Sequence, residues 1–213
     1  GEKERQMFLM SYFFDMSPSD IAKQMHCGES MVKMKLFRTR KKLADFFSAE
    51  GAEQVVFTQN CTQSINFVIK GILKKGDHVV ISSFEHNSVV RPIYALSEEG
   101  FITYSVFDVS DNVEETLMNF KKCIQNNTKL CVVTAVSNVF GRILPLEKLG
   151  EIAHESGVLF FVDGAQGAGI VPLSMKKMHI DCLCIPGHKG LLGPMGTGAI
   201  LHKGLEISPL IQG

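Results

Sequence analysis

Residues 158–169 read VLFFVDGAQGAG, and this stretch decides the fold. An uninterrupted apolar run at 158–162 is typical of a strand buried on both faces of a sheet, and the glycines after it indicate a turn. Asp163 ends the run, where an unpaired carboxylate would be costly. Two interpretations of Asp163 stay open: it caps the next helix, or it faces a cation such as a protonated pyridinium nitrogen.

Similar apolar runs stand on both sides of this stretch. They predict seven strands in all, at 55–58, 78–82, 102–107, 130–137, 158–164, 181–187 and 198–202. Amphipathic helices are predicted between most of them, including Ser64–Leu73, Val113–Ile124 and Leu146–Ser156. Apolar strands that alternate with helices predict an α/β fold, with a mostly parallel seven-stranded sheet and helices on both faces.

Three more polar segments follow predicted strands, where open α/β sheets bind their ligands. In TQNCTQS, residues 58–64, a strand end leads into a helix. The start of this helix is either an anion site, with the Thr62 hydroxyl as a donor, or an ordinary N-cap. In EHNSVVRP, residues 85–92, His86 either stacks on a planar ring, shuttles a proton or has a structural role.

The third segment is PGHKGLLGPMGTG, residues 186–198. Lys189 follows a buried strand among many glycines, which let the backbone approach a ligand closely. A lysine in that position can form an imine if burial and a nearby cationic ring lower its pKa. The competing interpretation, a nucleotide phosphate loop, lacks the GxxxxGK pattern followed by serine or threonine.

Residues 2–46 have a different, all-helical pattern. A helix is predicted over Glu2–Phe14, a second after the Ser17 N-cap with Pro18 in its first turn, and a third from Glu29. The two patterns meet near residue 45, where the third helix runs on without a linker. The domains are therefore predicted at 1–46 and 47–213.

Composition excludes several classes of protein. The 213 residues contain 22 basic and 22 acidic side chains, so the whole chain has no nucleic-acid signature. No apolar run is long enough to span a bilayer, no metal-ligand cluster is apparent, and the six cysteines are scattered. We therefore expect a cytoplasmic protein with buried free thiols, no metal and no membrane partner.

The motifs also occur in a familiar order. VVFTQNCTQSINFVIKG, GDHVVISSFEHNSVVRP, SNVFGRILPL, FVDGAQGAG and PGHKGLLGPMGTG together resemble the class V aminotransferase family, and within it the cysteine desulfurase-like branch. The resemblance covers about residues 43–213. It implies the large domain of a pyridoxal-phosphate (PLP) dependent transferase or lyase, a homodimer, and an amino-acid substrate with cysteine as the first candidate.

The resemblance also implies a role for each site residue. Lys189 would hold PLP as a Schiff base and move the proton at the substrate α-carbon, and Asp163 would pair with the pyridinium nitrogen. His86 would stack on the ring, Gln166 would bind its phenolic oxygen, and Asn138 would face the substrate. The phosphate would lie among Cys61, Thr62 and His188. Many relatives have serine or threonine where this chain has Pro186, so one phosphate donor is missing.

The first segment resembles a different family. Residues 2–46 are similar to the helix-turn-helix of sigma factor region four, and the match runs through EKERQMFLMSYFFDMSPSDIAKQMHCGESMVKMKLFRTRKKL, residues 2–43. That resemblance implies contact with duplex DNA through residues 29–42, with the following candidates: Glu29, Ser30, Lys33, Lys35 and Arg38. The alternative is a solvated basic helix face.

Three functions are therefore compared. The first is a PLP enzyme that is weak or inactive. In relatives an amino-terminal arm helps to line the active site, and a small carboxyl-terminal domain supplies a carboxylate-binding arginine and the sulfur-accepting cysteine; both parts are expected to be absent here. The second is a DNA-binding regulator with a PLP-type sensor domain. The third is a structural remnant without activity, whose exposed apolar surface would cause dimerisation or aggregation.

Overall fold

A computed structural model of the chain describes residues 2–12, 14 and 16–210. Three helices come first, α1 (Glu2–Tyr12), α2 (Pro18–Gln24) and α3 (Glu29–Phe47), followed by a short 3-10 helix (Ala52–Gln54). Strands and helices then alternate: β1 (Val55–Thr58), α4 (Cys61–Ile72), β2 (His78–Ser82), α5 (Asn87–Glu98), β3 (Thr103–Phe107), α6 (Val113–Cys123), β4 (Thr128–Thr134), α7 (Leu146–Glu155), β5 (Leu159–Asp163), β6 (Cys182–Pro186) and β7 (Gly198–His202).

The seven strands form one sheet in the order β1-β7-β6-β5-β4-β2-β3. The pairs from β6 to β3 are parallel, whereas β7 is antiparallel to both of its neighbours, β1 and β6. The prediction of a mostly parallel seven-stranded α/β sheet is confirmed. Six strands therefore place their carboxyl ends at one edge of the sheet, which is where the four polar segments of the sequence lie.

Each face of the sheet packs against its own set of helices. On one face, Phe107, Phe160 and Val133 pack with α6, α7 and the end of α3. On the other, Phe161 and Ile81 pack with α4 and α5. Strands β2 and β6 are buried at every position, as expected for strands covered on both sides.

Some predicted boundaries were wrong by a few residues. Helix α4 begins at Cys61 rather than Ser64, because the Asn60 side chain accepts a hydrogen bond from the Gln63 N–H and caps it. Strand β4 ends at Thr134 rather than 137, because the chain turns there and Val136 pairs with Ile143.

Helix α2 follows its capping signal. Ser17 caps α2 by accepting from the Asp20 N–H at 3.1 Å, with Pro18 in the first turn as predicted. Helix α1 ends at Tyr12, so Phe14 lies beyond it, and Phe13 lies outside the described residues.

Helix α3 joins the amino-terminal segment to the sheet. Its first half shares a small apolar core with the other two helices, made of Met7, Ile21, Ala22, Val32 and Leu36. Its last turn buries Ala44 and Phe47 in the core of the sheet domain. The predicted domain boundary at 46–47 therefore falls inside a continuous helix.

Candidate active site

A cavity of about 190 Å³ lies at the carboxyl ends of the parallel strands. All eight residues predicted to bind the cofactor line it: Cys61, Thr62, His86, Asn138, Asp163, Gln166, His188 and Lys189. Pro186 lines it as well, and four residues that the sequence interpretation missed complete the wall: Asn60, Ser88, Thr134 and Ala165. These side chains come from five separate loops, so their convergence is a property of the sheet and not of any one motif.

Asp163 provides a buried carboxyl group at the end of β5. Its Oδ1 accepts hydrogen bonds from the Ala165 N–H at 2.8 Å and from the Cys61 thiol at 3.5 Å. Among the described residues, no hydrogen bond reaches Oδ2. Burial raises the pKa of Asp163, and the two hydrogen bonds and the nearby side chains of His86 and Lys189 oppose that rise only in part.

His86 is held in one orientation by the helix that it begins. It is the N-cap of α5, and its Nδ1 accepts a hydrogen bond from the Ser88 N–H at 3.1 Å. The Ser88 hydroxyl lies 2.8 Å from the same nitrogen. Because Nδ1 accepts from an amide, the proton of the neutral ring lies on Nε2. The sequence interpretation of His86 as a loop residue therefore omitted its capping role.

Lys189 lies on an exposed loop between β6 and β7 that the glycines bring close to the sheet. The Gly193 N–H donates to the Gly187 carbonyl at 2.7 Å and closes the loop. A Cβ atom at Gly190 would collide with the Ala168 carbonyl oxygen, and one at Gly187 would collide with the Thr197 hydroxyl. Gly190 is therefore required for close approach of backbone to backbone, and Gly187 leaves room for the Thr197 side chain.

Asn138 stands in a tight turn after β4. The Ser137 hydroxyl accepts from the Val139 and Phe140 N–H groups at 3.3 Å each, and the Ser137 N–H donates to the Arg142 carbonyl at 2.9 Å. This turn presents the exposed Asn138 side chain to the cavity. Gln166 also lines the cavity, in the turn that follows Asp163.

The amino end of α4 has the features of an anion site. Among the described residues, the N–H groups of Cys61 and Thr62 have no hydrogen-bond partner, and both residues line the cavity. Free N–H groups at a helix amino terminus attract anions. The two interpretations of residues 58–64 are therefore compatible, since Asn60 caps the helix and leaves these groups available. Pro186 also lines the cavity and offers no donor, as predicted.

Glu85 is a residue that the sequence interpretation missed. Its Oε1 accepts from the Thr134 N–H at 2.7 Å and from the Ser82 hydroxyl, while Oε2 is buried without a partner. Burial raises its pKa to about 8, so it is a neutral acid at lower pH. In the sequence, only its position beside His86 pointed to Glu85. Its burial could not be predicted, because the burial of a loop carboxyl depends on contacts between β2 and β4.

The lining of the cavity fits PLP on chemical grounds. The open oxygen of a buried carboxyl needs a cationic donor, which a protonated pyridine nitrogen supplies. The helix amino terminus fits a phosphate. Lys189 is the only lysine in the lining. The carboxyl group, the anion site and the amine are the three groups that this cofactor needs.

The residues predicted to contact DNA do not form one surface. Lys35 and Arg38 line a second cavity, between α3 and the sheet domain. Lys35 also pairs with Glu4 at 2.6 Å. Glu29, Ser30 and Lys33 are exposed elsewhere on α3, and Lys33 pairs with Glu29 at 2.7 Å. DNA binding by residues 29–42 stays a prediction.

Other site types find no support in the part of the chain that the structure describes. Within residues 2–12, 14 and 16–210, no His, Cys, Asp and Glu side chains cluster in a way that could hold a metal ion. No helix in these ranges combines the length and apolar character required to span a membrane. All six cysteines are free thiols, and Cys61, Cys131, Cys182 and Cys184 are buried.

Comparison with known proteins identifies the family. The model of the family described as aminotransferase class-V matches residues 8–210. Cysteine desulfurase IscS of Ehrlichia chaffeensis is 38% identical over 195 residues, which cover 87% of this chain and 46% of the relative. The apo structure of cysteine desulfurase from Thermococcus onnurineus NA1 has 34% identity and a TM-score of 0.78, over 87% of this chain and 47% of that one.

A more distant structure extends the shared fold toward the amino terminus. The cysteine desulfurase CsdA of Escherichia coli, at 23% identity, matches with a TM-score of 0.78 over 99% of this chain and 53% of its own. The family match likewise begins inside α1, so it includes α2 and α3. The chain spans about half the length of the curated relatives that it matches. The fold, the family match and the identity to relatives together show that the chain belongs to the class V aminotransferase family, whose members depend on PLP.

Proposed function

We propose that this chain is the PLP-binding part of an enzyme of the cysteine desulfurase type, with Lys189 as the Schiff-base lysine and cysteine as the substrate. The observation that carries the proposal is the meeting of Lys189, Asp163 and the amino end of α4 in one cavity. The names of its relatives support cysteine as the substrate, since both curated and solved relatives are cysteine desulfurases.

PLP supplies an electron sink that makes the substrate α-carbon acidic. In this chain, Asp163 would hold the proton on the ring nitrogen through its open oxygen. The N–H groups of Cys61 and Thr62 would bind the phosphate. The imidazole of His86, fixed by Ser88, would cover one face of the ring, while Gln166 would donate to the phenolic oxygen.

The remaining roles concern the substrate. The Lys189 amine would move the proton at the substrate α-carbon, and Asn138, in the turn after β4, would face the substrate. Of the cysteines, only Cys61 lines the cavity, and burial and the adjacent Asp163 carboxylate raise its pKa well above the usual value. Because the thiolate is the nucleophile, Cys61 is a poor sulfur acceptor. We therefore propose that this chain binds PLP but releases little sulfide.

The proposal is tested by borohydride reduction at substoichiometric PLP, followed by peptide mapping with mass spectrometry. The pyridoxyl label is expected on Lys189, and Lys203→Arg, a substitution outside the cavity, should leave the labelling unchanged. Asp163→Asn removes a charged partner of the ring nitrogen and should weaken PLP binding on the order of tenfold or more. Labelling spread evenly over surface lysines in the folded protein would show that no PLP site forms.

A further inference from the structure

A second cavity of about 600 Å³ lies between α1, α3, β1 and the loop that follows β6. It shares no lining residue with the candidate active site. The two cavities are nevertheless neighbours, because Gly187 and Leu191 line the second while His188 and Lys189 line the first. The loop that bears the lysine thus separates them.

Most of the inner wall of this cavity is apolar. Phe8 and Phe57 meet edge to face, with ring centroids 4.6 Å apart, and Leu43 and Leu191 are only partly buried beside them. Ile185 and Ala199 of the sheet form the buried floor. An apolar wall of this extent is typical of small-molecule sites, whose volumes are about 300–1,000 Å³.

The rim has the opposite character. Arg38 and Lys42 lie one turn apart on α3, where like charges repel, and neither forms an ion pair among the described residues. The other charges at the rim are paired: Lys35 contacts Glu4 at 2.6 Å, and Arg5 contacts Glu2 at 3.5 Å. Two uncompensated cations therefore face an apolar cavity.

We propose that this cavity binds a small amphipathic anion, meaning one carboxylate or phosphate head group on an apolar body. Arg38 and Lys42 would bind the head group, since the guanidinium fork matches carboxylate and phosphate oxygens. The body would lie along Phe8, Phe57 and Leu191. A nucleic-acid duplex fits this site less well, because its bases are stacked inside it and its exposed backbone offers charge without an apolar segment to fill the cavity.

The probe for this site is 8-anilinonaphthalene-1-sulfonate, a fluorescent amphipathic anion, titrated into the protein without PLP. We expect one saturable site from which decanoate displaces the dye, while decyltrimethylammonium does not. The double variant Arg38→Gln, Lys42→Gln should weaken dye binding by at least about tenfold. The matched control is Lys33→Gln, Lys41→Gln, which removes the same charge from side chains that pair on the outer face of α3. Circular dichroism checks that each variant is folded.

Either of two results would overturn the proposal. Equal weakening by the control variant would mean that net charge, and not the rim of the cavity, attracts the dye. Displacement by decyltrimethylammonium as efficiently as by decanoate would mean that the site does not select an anion. Because no PLP is present, this outcome is independent of whether Lys189 forms a Schiff base.

Discussion

Two buried carboxyl groups, Asp163 and Glu85, show how burial decides the chemistry of single residues in this protein. Both stand at carboxyl ends of strands, and burial raises the pKa of each. Asp163 has an oxygen open to a cavity that fits a cationic ring, whereas Glu85 has a buried oxygen without a partner. The cost of burying a carboxyl group is therefore expected to serve function at Asp163 and to affect stability at Glu85.

Glu85 is expected to make the unfolding free energy depend on pH. Its pKa is about 8 in the folded protein against an ordinary value of 4.5, so between these values the unfolded chain has lost a proton that the folded chain keeps. The free energy of unfolding should then fall as pH rises from about 4.5 to about 8, by at most about 1.4 kcal/mol per pH unit. Urea unfolding at several pH values measures it.

Glu85→Gln should remove this slope, so the variant gains stability relative to the parent protein as pH rises toward 8. Gln at this position keeps an acceptor for the Thr134 N–H. Glu151→Gln, on the exposed side of α7, is the matched control and should leave the slope unchanged. Parallel curves for Glu85→Gln and the parent protein would mean that the Glu85 carboxyl ionises in both states alike.

Among the elements, α4 links local sequence to the candidate site most directly. The Asn60 side chain caps α4 by accepting from the Gln63 N–H, and the Gln63 side chain accepts in return from the Gln59 N–H at 2.8 Å. These two hydrogen bonds fix the start of the helix. This arrangement leaves the N–H groups of Cys61 and Thr62 to face the cavity. The sequence correctly predicted that a polar segment at 58–64 precedes the helix. It did not predict the first residue of the helix, because that depends on which side chain makes the cap.

Asn60→Ala is therefore expected to destabilise the protein by about 1 kcal/mol, the usual cost of losing an N-cap. The control is Asn66→Ala in the same helix, where the side chain only donates to the Thr62 carbonyl at 3.0 Å on an exposed surface. Asn66→Ala should change stability by less than about 0.5 kcal/mol. Both values come from denaturant unfolding, and equal losses for the two variants would mean that the Asn60 cap adds nothing.

At the scale of the whole molecule, exposed apolar side chains stand on two loops that contribute to the candidate site. Val139 and Phe140 are 73% and 67% exposed on one loop, and Leu192 and Met195 are 89% and 81% exposed on the loop that bears Lys189. Large exposed apolar side chains on two loops that line the same cavity are typical of an interaction surface. We therefore propose a homodimer in which a second copy of the chain covers this surface.

Val139→Ser combined with Leu192→Ser should shift the protein from dimer to monomer, as measured by sedimentation velocity at micromolar concentration. Both positions are on the surface, so stability should change little. Met118→Ser, on α6, removes an apolar side chain that is 52% exposed away from these loops and should leave the dimer intact. A monomeric parent protein would show that the surface has no such partner.

The sequence by itself predicted the seven strands and the polar segments at their ends, and its resemblance to the family implied eight of the thirteen residues that line the candidate site. The strands could be predicted because apolar runs report burial locally, and the polar segments could be expected together because parallel strands bring their carboxyl ends to one edge of a sheet. Tertiary structure alone decided the strand order, the antiparallel insertion of β7 between β1 and β6, and the burial of Glu85. It also placed Arg38 and Lys42 at the rim of a cavity, which lies where Phe8 of α1 packs against Phe57 of β1. Each of these depends on contacts between residues far apart in the chain, which no local pattern records.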